Sequence, residues 1–230
     1  MITENLKAVK SNISQAALRA GRDPSEVLLV AVSKTKPNEM VMEAYDAGQL
    51  DFGENKVQEL VRKYGELPGD IRWHFIGNLQ RNKVRMLTGK PVLIHSVSSV
   101  RLAETVGAEA VRAGITADIL LEVNVAGEES KGGFSLAELE EAMPELLKID
   151  GIRIRGLMTV APYVPDPEAN REVFRTLREE RGKLNASFPG LDMTELSMGM
   201  SNDYVIAVEE GATIVRVGSD IFGARDYSQN

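Results

Sequence analysis

The chain has 230 residues, 43% of them apolar and 27% charged, with a formal net charge of −7 and no cysteine. That is enough chain for one sizeable core, while the acidic balance argues against a nucleic-acid partner, whose phosphates call for a surplus of Lys and Arg. Without cysteine there is no disulfide, thiolate metal site or cysteine nucleophile, and no apolar run reaches the roughly 20 residues needed to span a membrane.

In chain order, Met1-Ile-Thr-Glu-Asn-Leu6 lacks the basic and apolar regions of a secretory leader, so a cytoplasmic protein is expected. A helix is predicted over roughly Glu4 to Ala20, with Thr3 as N-cap and Leu6, Val9 and Ile13 on one face. Short β-branched runs then recur at Val27–Val32, Ile71–Ile76, Val92–Val97, Asp118–Val125, Ile152–Val160 and Thr213–Val217. Leu50–Phe52 and Glu195–Met198 fill the gaps at the same spacing. Helical patterns lie between them, three of which end on glycine: Gly48, Gly114 and Gly211. Asp166-Pro167 opens a further helix, as cap and first helical residue, through Phe174 and Leu177 towards Leu184. The run from Arg178 to Arg181 is expected to be a solvated helix face, and Gly132-Gly133 after Glu128-Glu-Ser-Lys131 a solvated loop. No linker divides the chain, so residues 1–230 read as one domain. Eight strands, each leading into a helix, predict a (β/α)8 TIM barrel; an open doubly wound sheet is the competing α/β fold.

In a barrel, function sits at the C-terminal ends of the strands. Lys34 follows Val27-Leu-Leu-Val-Ala-Val32 and shares parity with Val30 and Val32. If that parity faces the interior, its amine enters a partly desolvated cup, where the neutral, nucleophilic form is favoured. The alternative is a lysine snorkelling outward at a strand end. Lys36 has the same parity but precedes Pro37, which places it in the loop before the next helix.

The last strand and its exit form the second signal. Arg216 shares a face with Ile214 and Gly218, and an arginine in so apolar a strand is costly to bury without a partner. Gly218-Ser219 offers backbone N–H groups and a hydroxyl to an anion, and Ser201 is placed to cap the next helix. Loops after strands seven and eight form the recurrent phosphate site of this fold, though a tight turn and an N-cap explain the same residues. His74 and His95 lie on different strands with no metal-ligand spacing, and Glu122 and Asn124 share a face of strand five. For each of these four a structural role is as open as a functional one.

Several segments together resemble the pyridoxal phosphate homeostasis proteins. They are Ala31-Val-Ser-Lys-Thr-Lys-Pro37, Phe52-Gly-Glu-Asn55 with Val57-Gln-Glu59, and Trp73-His-Phe-Ile-Gly77 with Leu79-Gln80 and Asn82-Lys83. Val123-Asn-Val125, Gly156-Leu-Met158, Leu196-Ser-Met-Gly-Met-Ser201 and Gly218 to Arg225 continue the match over nearly the whole chain. The resemblance implies a fold-type-III barrel without the β-domain of alanine racemases. It implies pyridoxal phosphate as a Schiff base on Lys34, its phosphate on Ser201, Gly218 and Ser219, and Arg216 at the pyridine nitrogen. Asn55, His74 and Met158 would line the ring pocket. The family often has Thr where this chain has Ser219, and the hydroxyl is kept.

An arginine at the pyridine nitrogen disfavours its protonation and weakens the ring as an electron sink. The resulting expectation is a monomeric carrier that buffers pyridoxal phosphate and passes it to apo-enzymes. The enzymatic alternative is a small amino-acid racemase or Schiff-base lyase, for which Tyr163 is the tyrosine to nominate as acid or base. A barrel binding a phosphosugar, with Lys34 unmodified, is the third.

Overall fold

The period-two alternation of these short segments builds a closed wall. A computed structural model describes residues 1–128 and 131–223, and among them eight parallel strands pair in sequence order, β8 returning to β1. The order is α1 (Ile2–Arg19), β1 (Leu28–Val32), α2 (Asn38–Asp46), β2 (Asp51–Glu54), α3 (Val57–Glu66), β3 (Arg72–Phe75) and α4 (Val84–Leu87). It continues with β4 (Leu93–Val97), α5 (Val100–Arg112), β5 (Ala117–Glu122), α6 (Leu136–Leu146), β6 (Ile152–Met158) and α7 (Arg171–Ser187). Then come β7 (Glu195–Ser197), α8 (Tyr204–Glu209), β8 (Ile214–Val217) and α9 (Ser219–Phe222). The β1–β8 register, Leu28↔Ile214 to Ala31↔Val217, closes the barrel and sets aside the open sheet.

Strand parity sorts the core into two compartments. Residues such as Ala31, Phe52, Trp73, Phe75, Leu121 and Val215 point outward and pack under the helices. Val30, Leu93, Leu120, Met158 and Ile214 meet inside the barrel. The glycine-closed helices appear as expected: Gly48, Gly114 and Gly211 follow α2, α5 and α8 with φ of 85°, 68° and 101°, values that glycine adopts without a Cβ penalty. The short α8 and α9 leave room for α1, whose Asn5 and Asn12 donate to the Ile221 carbonyl and the Tyr204 hydroxyl, each at 3.0 Å.

Some boundaries differ from expectation. Thr3 is not an N-cap; α1 already starts at Ile2, whose N–H is taken by Glu43 of α2 at 3.1 Å, a cap supplied by tertiary contact. Strand β2 runs on to Glu54, because Phe52 to Glu54 keep pairing with Trp73 to Phe75. Strand β5 stops at Glu122, since Asn124 turns to brace the loop through both the N–H and the carbonyl of Glu128. Asp166 does cap, accepting from Glu168 N at 3.0 Å, but Pro167–Asn170 is a 3-10 turn and α7 begins after it. The run from Arg178 to Arg181 is only partly a solvated face: Glu180 is buried, Arg178 donates to the Glu210 carbonyl at 2.9 Å, and Arg181 to that of Thr194 at 2.6 Å. Glu129, Ser130, Ala224 and Arg225 lie outside the described residues. Among the described residues no helix is long and apolar enough to cross a membrane.

Candidate functional site

The C-terminal mouth of the barrel holds a cavity of about 650 Å³, within the usual size range of small-molecule sites. Lys34 and Lys36 reach it from the exit of β1, Asn55 from β2, Ser201 from β7, and Arg216, Gly218 and Ser219 from β8. Six of the eight residues singled out from sequence therefore line one cavity. His74 and Met158 do not. Met158 belongs to the apolar cluster inside the barrel, and both ring nitrogens of the buried His74 are committed, to Asp51 and to His95.

The lysine-bearing loop is clamped from behind. Helix α3 buries Lys63 on the same face as Val57 and Leu60. Its ammonium donates to the Ser33 carbonyl at 2.8 Å, to Glu54 Oε1 at 2.7 Å and to Glu59 Oε1 at 3.0 Å. The Ser33 hydroxyl donates to the same Glu54 oxygen at 2.7 Å, and the Thr35 N–H to Glu59 at 2.8 Å. Both neighbours of Lys34 thus hang on one buried charge cluster. Burial raises the Glu54 pKa above the ordinary carboxylate value, against the pull of Lys63 and Ser33. Thr35 sits in the left-handed region at φ 64°, a conformation that costs an L residue about 1–2 kcal/mol and that survives where its surroundings over-determine it. Across the seam, Lys36 Nζ donates to the carbonyls of Phe222 and Gly223, both at 3.1 Å.

The opposite wall is polar and tight. Ser201 does not cap α8, whose N-cap position is Asp203; its hydroxyl accepts the Gly218 N–H at 3.2 Å and so ties the β7 exit to the β8 exit. A Cβ on Gly218 would come within 3.2 Å of the Val32 carbonyl oxygen, so this position favours the smallest residue. At the floor, Arg216 is 4% exposed and lies at the mouth of the interior. Its guanidinium donates to the Ser197 hydroxyl at 2.6 Å and to the Thr159 carbonyl at 2.9 Å. Burial pushes its pKa down to about 10, while Asp203 and Glu122 favour its charge. Glu122 also faces the interior, where burial raises its carboxyl pKa and Arg216 opposes the rise. Asn55 completes the wall with a buried Oδ1 that has no partner among the protein atoms. The exposed Tyr163 stands at the rim on the loop after β6.

Sequence reasoning missed Lys63, Glu54, Ser197 and Asp51. For Lys63 the signal was present: it stands three residues beyond Leu60 and six beyond Val57, on the buried stripe of α3.

An amine at a strand end, a hydroxyl-lined turn for an anion, an unsatisfied side-chain acceptor and a buried cation together suit a phosphorylated aldehyde carried on a ring. Fold and site together define a barrel of the alanine racemase N-terminal-domain class, whose family profile matches residues 5–226. The chain is 45% identical over 225 residues to the pyridoxal phosphate homeostasis protein of Aquifex aeolicus (strain VF5), covering 97% of this chain and 98% of that relative. It is 42% identical over 240 residues to the human protein of that name, covering 97% of this chain and 86% of the other. PipY of Synechococcus elongatus PCC7942, solved with pyridoxal phosphate bound, superposes with a TM-score of 0.84 at 39% identity, covering 97% and 100% of the two chains. An alanine racemase of Clostridium difficile 630 shares the barrel alone, with a TM-score of 0.74 at 15% identity over 98% of this chain and 58% of that one. The chain belongs to the pyridoxal phosphate homeostasis protein family.

Proposed function

We propose that this protein binds pyridoxal phosphate as a Schiff base on Lys34 and holds it for delivery to apo-enzymes. The observation that best supports this is the juxtaposition, in one cavity, of Lys34 at the β1 exit with the Ser201, Gly218 and Ser219 cradle, above the buried Arg216. The cradle would take the phosphate and Arg216 the pyridine nitrogen, with Asn55 beside the ring. Bound there, the cofactor supplies an aldehyde for the lysine amine and a ring able to draw electrons from carbon. The protein's part is to orient the amine through the Ser33 and Thr35 anchors and to keep a cation at the site floor. Pyridoxal enzymes that rely on the electron sink place a carboxylate opposite the ring nitrogen. Here the cation at the floor and the 85%-exposed Tyr163, whose ring stands out in solvent at the rim, favour a carrier over a racemase or lyase.

The decisive experiment is borohydride reduction of the cofactor-loaded protein followed by peptide mapping. One phosphopyridoxyl group on Lys34 is expected. Modification confined to Lys36, or a colourless protein that ignores added cofactor, would refute the assignment. The phosphate cradle has its own check. Ser219→Asp should weaken pyridoxal phosphate binding by about tenfold or more, the loss of one charge-assisted contact with added like-charge repulsion. Unphosphorylated pyridoxal should lose much less, and equal losses for the two ligands would show that this turn does not read the phosphate.

A further inference from the structure

Below Arg216, a file of polar side chains crosses the inside of the barrel. The Ser197 hydroxyl, which accepts from Arg216, lies 2.8 Å from His95 Nδ1. His95 Nε2 lies 2.9 Å from His74 Nδ1, and His74 Nε2 lies 3.1 Å from Asp51 Oδ1. Asp51 in turn receives Arg72 through two bonds of 2.9 and 2.5 Å. Arg216, Ser197, His95, His74 and Asp51 are all buried, whereas the Arg72 side chain is 51% exposed at the N-terminal mouth. The file therefore runs from the floor of the candidate site to the far end of the barrel. It is not a metal ligand set, because the nitrogens are spent on one another.

The two ends dictate its direction. A guanidinium only donates, so Ser197 accepts from Arg216 and has its own proton left to give. An ionised carboxylate only accepts, so His74 Nε2 must carry a proton. Burial would raise the Asp51 pKa, but Arg72 and His74 hold it below the ordinary carboxylate value, which keeps that end anionic. A neutral imidazole has one N–H. His74 Nδ1 is then an acceptor for His95 Nε2–H, and His95 Nδ1 an acceptor for the Ser197 hydroxyl. Every donor is matched to an acceptor, and all point from Arg216 towards Asp51. Reversing the histidine pair would set a bare His74 nitrogen against the carboxylate or require an added proton. It would also take away the acceptor, 2.8 Å off, that the Ser197 proton finds in His95 Nδ1. Among the described residues, Glu122 and Asp203 also act on Arg216 and favour its charged form.

We infer that Asp51, His74, His95 and Ser197 are positioning residues: a one-way hydrogen-bond relay that fixes Arg216 as a charged donor and thereby sets the proton affinity of the ring nitrogen of bound pyridoxal phosphate. The coupling to the cofactor rests on the function proposed above; the direction of the relay does not. The dipoles of the relay present their negative ends to Arg216, so the buried guanidinium is stabilised from beneath while its remaining N–H groups stay available to the cavity. Truncating the relay frees the guanidinium to turn away.

The first measurement needs no cofactor. In the ¹⁵N spectrum of the unliganded wild-type protein, both histidines should appear as Nε2–H tautomers. An Nδ1–H form or an imidazolium at neutral pH would overturn the relay whatever the protein binds. The second uses protein loaded with pyridoxal phosphate labelled at the ring nitrogen and titrated with acid. Ser197→Ala and the remote Asp51→Asn should each raise the midpoint of ring protonation by about one pH unit, a tenfold change in proton affinity. Ser197→Thr, which keeps the hydroxyl, should restore the wild-type midpoint. A midpoint unmoved by Ser197→Ala, or an Ala effect that Thr fails to rescue, would overturn the positioning role. Failure of the cofactor to bind would overturn the coupling together with the proposed function, leaving the tautomer result to stand by itself.

Discussion

Lys63→Met should cost about 3–5 kcal/mol of stability in urea denaturation, the usual consequence of removing one partner from a buried ion pair. Domains of this size are stable by only about 5–15 kcal/mol, so the variant would be close to its limit at 37 °C. The reason lies in what is left behind. Glu54 and Glu59 lose a shared ammonium, Glu54 Oε2 already has no partner, and the Ser33 carbonyl loses a donor. The loss should depend on pH with a defined sign. A carboxyl whose folded-state pKa is raised binds more protons when folded than when unfolded, so stability falls as pH rises through the raised value. Glu54 is such a group, and without Lys63 its pKa rises further. The deficit of Lys63→Met should therefore narrow on mild acidification, and adding Glu54→Gln should recover part of it. A deficit under 1 kcal/mol, or one independent of pH, would show that the cluster relaxes without Lys63. Because Ser33 and Thr35 flank Lys34, the variant should also bind pyridoxal phosphate more weakly than its residual fold alone explains.

The second large effect separates carrier from catalyst. Incubated in deuterated solvent with alanine, the wild-type protein should exchange the Cα proton no faster than free pyridoxal phosphate, followed by proton NMR. Arg216→Glu places an acid where the guanidinium meets the cavity, the arrangement that lets a pyridine nitrogen keep its proton and the ring accept electrons. If the variant loads cofactor, its exchange should exceed that of wild type by about tenfold or more, equivalent to at least 1.4 kcal/mol of barrier. Burying an acid there costs stability, so the comparison belongs well below the variant's melting temperature. Stereospecific exchange by the wild type above the free-cofactor baseline would favour the racemase alternative.

Much of this arrangement is legible from alternation alone. Val30, Val32 and Lys34 share a face because a strand repeats every two residues, and Ile214, Arg216 and Gly218 do likewise. The β1–β8 register pairs Val30 with Arg216, so the two faces share one side of the sheet, and with Val30 and Ile214 packed inside the barrel the lysine and the Gly218-Ser219 turn meet there. What alternation does not carry is register between strands. His74 and His95 each look like a lone histidine on its own strand; only the pairing of β2, β3 and β4 stacks Asp51, His74 and His95 into contact. That is also why His74 falls below the cavity and not on its wall. Lys63 escapes notice for another reason. With Glu59 four residues earlier it matches an exposed helical ion pair, whereas burial against β2 turns the same pair into an internal brace. Ser201 was placed as a helix cap on local grounds, and the β8 backbone claimed its hydroxyl instead.

The seam between β1 and β8 has a consequence for how the chain matures. The bonds from Lys36 to the end of α9 join residues 186 and 187 positions apart, and contacts of such separation form late, because a long loop must first be closed. Under the proposed binding, one small molecule is joined to Lys34 on one lip of this seam and gripped by Gly218 and Ser219 on the other. It is then a rivet as much as a cargo. Newly made chains would seal fastest where the vitamin is plentiful, and each act of delivery would unfasten the protein along this line before any other. Protease nicking or hydrogen exchange at the β1 and β8 exits should then track the vitamin status of the cell.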